Sequence, residues 1–108
     1  MREVVTEKWL GQKIKAQGGA WLKFVSPGHT GVPDRIMILR GHVVFVEMKT
    51  ETEQLSKIQK ATFVEMNKCG VSVHVVYGKP GAEKFLTDLK SPAGFVLGGG
   101  LEDVYEWR

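Results

Sequence analysis

Asp34, Glu47 and Lys49 are the residues of this chain whose types and spacing can do chemistry together. They fall within residues 31–50, G-V-P-D-R-I-M-I-L-R-G-H-V-V-F-V-E-M-K-T, in or beside two apolar runs. The runs 36–39 and 43–48 read as buried strands, with Arg40-Gly41-His42 as the turn of a hairpin. Alternate residues of a strand share a face, so Val43, Phe45, Glu47 and Lys49 point one way and Val44, Val46 and Met48 the other. Both faces read as buried, and a buried charge without a partner is costly. Glu47 paired with Lys49 is the simplest solution, but it leaves Asp34 unexplained. If the hairpin sets Asp34 beside Glu47, two carboxylates about 4 Å apart repel by roughly 4 kcal/mol at an effective dielectric of about 20. One carboxylate must then be protonated, or a cation must lie between them. Mg²⁺, with Mn²⁺ able to substitute, accepts one or two carboxylates and leaves room for a substrate phosphate. Lys49 on the same face can orient or deprotonate the attacking water, or neutralise charge on a phosphorane-like transition state. The implied chemistry is metal-assisted phosphodiester hydrolysis, with no organic cofactor.

Other elements must bring further groups to that hairpin. Residues 2–17 read as a helix stopped by Gly18-Gly19. At 100° per residue Glu3, Glu7, Leu10, Ile14 and Gln17 form one stripe, so two glutamates share the face that Leu10 and Ile14 turn to the core. Either the stripe emerges into solvent at the first turns, where acidic residues favour the helix dipole, or Glu7 is a third acidic group at the metal, with Glu3 one turn earlier. Residues 20–25 read as the first strand, and 26–31 as a loop. That loop either merely connects strands or offers amides and the side chains of Ser26, His29 and Thr30 to a nucleic-acid backbone. Arg35 is the better phosphate contact.

Residues 50–55 read as a polar loop and 57–68 as a helix whose inward stripe is Leu55, Ile58, Gln59, Thr62, Met66 and Cys69. Ser56-Lys57-Ile58-Gln59 is a capping-box pattern, in which Gln59 reaches back to the Ser56 amide. Lys57 and Lys60, at the same end, either contact DNA or form a solvated face. Residues 71–77 are the next strand, parallel to 43–49 through a right-handed crossover, and His74 within it reads as a packed or edge histidine. Gly78-Lys79-Pro80-Gly81 turns into a short helix ending near Lys90 that buries Phe85, Leu86 and Leu89. Beyond it, Phe95-Val96-Leu97 can pair as an edge strand, Gly98-Gly99-Gly100 is a turn or flexible, and residues 101–108 either dock on a second subunit or are disordered.

At 108 residues the chain reads as one domain, with a core over about 2–90 and a C-terminal extension at 91–108. Fifteen Lys plus Arg against twelve Asp plus Glu give +3, a mild excess compatible with a polyanionic partner. The single cysteine, Cys69, excludes an internal disulfide and a cysteine-based zinc site, and favours a reduced, intracellular (cytoplasmic) setting. No apolar run approaches the length of a membrane span, and the charged start is unlike a signal peptide.

Pro33-Asp34 followed by Glu47-Met48-Lys49 resembles the signature of the PD-(D/E)XK nucleases. Lys23-Phe24-Val25-Ser26-Pro27-Gly28, Gly31-Val32-Pro33-Asp34-Arg35, Val44-Phe45-Val46-Glu47 and Gln59 together resemble the stand-alone VRR-NUC branch found in viruses and bacteria. The match covers about residues 7–77. The resemblance implies an α/β, restriction-endonuclease-like sandwich with a central mixed β-sheet flanked by helices. It implies Asp34 and Glu47 as metal ligands, with the Met48 carbonyl contributing, and Lys49 as the residue that positions the nucleophile. It supports Glu7 on the first helix, and gives Gln59 a second reading, orienting water or a phosphate oxygen. Stand-alone members resemble Holliday-junction resolvases, which implies a homodimer acting on branched DNA in replication, repair or recombination. Flap or other branched DNA, or a non-catalytic DNA-binding module with this fold, are the alternatives.

Overall fold

The computed structural model describes residues 3–90 and 104–108. Its centre is a five-stranded sheet in the order β1-β2-β3-β4-β5, comprising Ala20–Lys23, Arg35–Leu39, His42–Lys49, Val73–Tyr77 and Tyr105–Trp107. Strands β1, β2 and β3 run antiparallel, while β3–β4 and β4–β5 pair in parallel, so the sheet is mixed. Helices α1 (Glu3–Ala16), α2 (Lys57–Lys68) and α3 (Gly78–Lys90) flank it. The architecture is the expected restriction-endonuclease-like sandwich.

The β2–β3 hairpin is set by a two-residue turn. Leu39 pairs with His42, and Arg40 and Gly41 between them have φ of 51° and 79°. Positive φ at both central residues is the type I′ pattern, whose twist matches that of the strands. His42, expected in the turn, therefore belongs to the strand. The register that follows pairs Arg35 with Val46 and Ile36 with Phe45, which carries Asp34 to the level of Glu47.

Alternation along β3 divides the core in two. Val44, Val46 and Met48 are fully buried and pack with Leu10 and Ile14 of α1, Met37 of β2, and Phe85 of α3. On the other face Phe45 joins Leu55, Phe63, Val73, Val75 and Tyr77, the layer covered by α2. Burial of both faces holds along most of β3, but Val43 at its start is 51 % exposed. The inward stripe of α2 differs from the expected one. Thr62, Phe63 and Asn67 are buried, whereas Ile58 is 52 % exposed and Cys69 is exposed. Phe63 is the bulkiest apolar side chain on the helix, and seating it between Leu55 and the valines of β4 rotates the helix away from Ile58.

The last strand departs most from expectation. Residues 105–107 form part of the sheet. They pair with His74, Val75 and Val76, and extend the sheet by one strand. His74 holds them from beneath: Trp107 Nε1 donates to its Nδ1 at 3.0 Å, and its ring stacks on Tyr105 at 4.9 Å. His74 is 1 % exposed, and burial pushes its pKa down to about 3, so it is a neutral packing histidine as the sequence suggests. The expected edge strand at Phe95-Val96-Leu97, the glycine run after it, and residues 101–103 lie outside the described residues.

Candidate active site

The site is built on the hairpin by two reciprocal hydrogen bonds. The Asp34 amide donates to Glu47 Oε1 at 3.1 Å, and the Met48 amide donates to Asp34 Oδ1 at 3.3 Å. Each carboxylate is thus fixed by the backbone of the opposite strand, and the two are held side by side. A third strand joins them, because the Phe24 amide donates to the Asp34 carbonyl at 2.9 Å.

Glu47, 6 % exposed, uses both oxygens. Its Oε2 lies 3.5 Å from Lys49 Nζ and accepts from Gln59 Nε2 at 3.2 Å. Gln59 makes the expected capping box and a contact to Glu47 besides. Its Oε1 accepts from the Ser56 amide at 3.0 Å while its own amide donates to Ser56 Oγ at 3.1 Å, so the capping box is formed. Its Nε2, free of that task, reaches the carboxylate. One side chain therefore starts α2 and orients Glu47.

Helix α1 brings Glu3 and Glu7 to the same place. One oxygen from each of Glu3, Glu7 and Asp34 lies within 4.8 Å of the others; the predicted ligand Glu47 is not a member of this close group, because its oxygens are turned to the Asp34 amide, Lys49 and Gln59. The choice between the two glutamates thus dissolves, since helical spacing carries both to the hairpin. Glu7 also takes the guanidinium of Arg35, whose Cζ stands 5.7 Å from the Trp21 ring centroid. Arg35 is accordingly engaged in orienting Glu7, with 24 % of its side chain still accessible. Glu53 is a group that sequence reasoning passed over. It accepts from the Thr50 amide at 2.8 Å and couples electrostatically to Glu3. Its signal was the Glu51-Thr52-Glu53 run directly after Lys49-Thr50, read only as a polar loop.

The electrostatics follow from this crowding. Burial, then the charges of Glu47 and Glu7, push Asp34 from its ordinary 3.8 up to about 7. Burial likewise raises Glu47, opposed mainly by Lys49, and raises Glu3, reinforced by Glu53. Among the described residues no cationic side chain forms an ion pair with Asp34. An all-oxygen donor set, partly buried and short of positive charge, is what a hard divalent cation requires. The residues present therefore fit such an ion.

The remaining predicted residues are arranged around this centre. Ser26 and His29 lie beside a recess between β3 and α2, where His29 Nε2 is 3.2 Å from Thr62 Oγ1, and Thr30 is exposed nearby in sequence. Lys57 and Lys60 are exposed on the first turn of α2, and Lys60 borders a polar pocket of about 450 Å³ with Tyr77 and Arg108. Met48 contributes its amide, while its side chain is wholly in the core.

A mixed sheet with Asp34 immediately before β2 and Glu-x-Lys at the end of antiparallel β3 places the chain in the restriction-endonuclease-like class. Within it, a solved structure described as "VRR_NUC domain" superposes with a TM-score of 0.74 at 30% identity, covering 79% of this chain and 94% of that one. The phage protein "Putative nuclease p44", from Acyrthosiphon pisum secondary endosymbiont phage 1, is 38% identical over 77 residues, 70% of this chain and 83% of its own length. No family model matches. The chain belongs to the VRR-NUC family. Among the described residues no helix is long and apolar enough to cross a membrane.

Proposed function

We propose that this chain is a metal-dependent endonuclease that hydrolyses phosphodiester bonds of DNA. The reciprocal bonding of Asp34 and Glu47 across one hairpin, with Lys49 beside Glu47, is the observation that carries this reading. Asp34 and Glu47 would hold Mg²⁺, or Mn²⁺ in its place, with the Met48 carbonyl and the glutamates of α1 completing the oxygen shell. A divalent ion so placed supplies Lewis-acid polarisation of the phosphate and lowers the pKa of the attacking water. The rest falls to the protein. Gln59 and the Asp34 amide fix the orientation of Glu47. Lys49, held at Glu47, positions the nucleophilic water and offsets the negative charge that grows on the phosphoryl oxygens. Arg35, once a phosphate approaches, is shared between it and Glu7, and Lys57 and Lys60 follow the DNA backbone along α2.

The favoured substrate is a branched DNA of the Holliday-junction kind, cut in pairs by a homodimer within a bacterial or phage-infected cell. The phage relative supports the nuclease activity and the phage setting. The homodimer is supported by an uncovered outer face on β1–β3, where Leu22, Ile38 and Val43 are 47, 38 and 51 % exposed; Ile38 pairs with Val43 across β2–β3, and Leu22 pairs with Ile36 on β1–β2.

Labelled junction, flap, linear duplex and single-stranded DNA, incubated with Mg²⁺ and either wild type or Lys49→Ala, provide the test. Cutting by wild type alone is expected. Binding by both proteins with cutting by neither would make the chain a DNA-binding module, and a preference for the flap over the junction would replace the resolvase reading.

A further inference from the structure

Beside the carboxylates lies a recess of about 350 Å³ that the hydrolytic reading leaves unused. Phe24 and Phe45 form one wall, their ring centroids 5.3 Å apart and tilted at 55°. Thr62, Glu65 and Met66 of α2 form the other, with His29 and Ser26 also on the lining. The lining is largely apolar, and its volume is that of a small-ligand pocket.

Each wall is a continuation of the candidate active site. Phe24 is bonded through its amide to the Asp34 carbonyl. Phe45 precedes Glu47 by two residues on the same face of β3, roughly 7 Å along the strand. Thr62 lies one helical turn beyond Gln59, which touches Glu47. A substrate phosphate at the carboxylates therefore has the recess within the reach of its own or the next nucleotide.

We propose that this recess is a nucleobase subsite, which receives one unpaired base of the DNA strand being cut. The inference rests on the nuclease reading and specifies what that site selects. A base is flat and apolar on its faces but carries donors and acceptors along its edge. The recess answers both features, with the Phe24–Phe45 wall and the Met66 side chain for the faces, and His29, Thr62 and Ser26 for the edge. His29 Nε2 and Thr62 Oγ1 lie 3.2 Å apart, and since a hydroxyl offers one donor and two acceptors and an imidazole two nitrogens, the pair keeps capacity for a base edge without being broken. Stacking on aromatic rings tolerates any base, so the subsite reads the absence of pairing rather than sequence. A base inside a duplex must first leave its stack, which is easiest at a branch point, a mismatch or a single-stranded end. Preference for branched DNA then has a source within one protomer, in addition to any geometry of a dimer.

An abasic scan tests this. A DNA that the protein cuts at one defined bond, branched or single-stranded, is prepared as a set, each member lacking the base at a different position about the cleaved bond. One position should be sensitive, with cleavage under limiting enzyme about five- to a hundredfold slower, the range expected for loss of one stacked base. Phe24→Leu should weaken cutting of the intact DNA similarly and leave the abasic member at the sensitive position unchanged. Because Cys69 borders the recess and is exposed, a bulky maleimide on the folded wild-type protein should act as Phe24→Leu does, and Cys69→Ser should be immune to it. A flat scan with cleavage intact overturns the subsite and leaves the nuclease reading standing. Absence of cleavage with every DNA and metal offered overturns both.

Discussion

Asp34 is where the demands of folding and of chemistry conflict most directly. Its folded-state pKa of about 7 lies above its ordinary 3.8, so between those values the folded chain holds a proton that the unfolded chain has released. Stability from this group is full below about pH 4 and is lost as pH rises through about 7. Without metal, the melting temperature should therefore fall across that window, and Mg²⁺ added at pH 8 should restore part of it. Asp34→Asn keeps an oxygen for the Met48 amide and removes the charge. It should raise metal-free stability at pH 8 by about 1 kcal/mol in chemical denaturation, and abolish both cleavage and Mg²⁺ binding by calorimetry. Lys49→Ala is expected to slow cleavage about 10²- to 10⁴-fold with little change in DNA affinity, measured by single-turnover kinetics and anisotropy. These residues were legible in the sequence because charged groups stand out against apolar strands. Glu53 was not, since an acidic loop looks the same whether it faces solvent or a helix from another part of the chain. Nor could the sequence decide how Gln59 is used, because only the folded hairpin shows a carboxylate within reach of the nitrogen that the capping box leaves over.

At the scale of elements, α2 and β5 show what periodicity can and cannot reveal. The bounds of α2 follow from Ser56, Gln59 and Gly70, all local signals. Its rotation about its own axis depends on where Phe63 finds a pocket, and that pocket is made by β4 and Leu55. Strand β5 lies in a tail whose few apolar residues give no alternation, and its partner His74 is over thirty residues distant in sequence. Packing, not propensity, recruits it. Trp107→Phe should keep the edge-to-face contact with Phe85 and the stacking on His74 but lose the indole donor, at a cost of about 1 to 3 kcal/mol read by denaturant titration. Gly81→Ala should be worse for the strand. A β-carbon on Gly81 would stand 2.2 Å from the Trp107 carbonyl oxygen, so β5 must shift, and hydrogen exchange at residues 105–107 should accelerate while β2 and β3 remain protected.

The whole molecule has an asymmetric sandwich, with α1 and α3 filling one face of the sheet and α2 covering only the β3–β4 side of the other. The exposed remainder around Val43 is the surface through which the proposed dimer would form. Val43→Asp leaves the buried core untouched and should halve the mass seen by light scattering, while turning paired incisions of a junction into single nicks. A net charge of +3 predicts that DNA binding weakens as salt is raised, which an anisotropy series at increasing ionic strength would measure. The mixed sheet also has a temporal consequence. Asp34 and Glu47 are thirteen residues apart on a single tight hairpin, whereas α1 and β5 must be gathered from the two ends of the chain. Contacts that close short loops form early. The pair of acidic groups should accordingly assemble ahead of the elements that shield it, so the nascent hairpin already carries mutual repulsion that ambient cations can relieve.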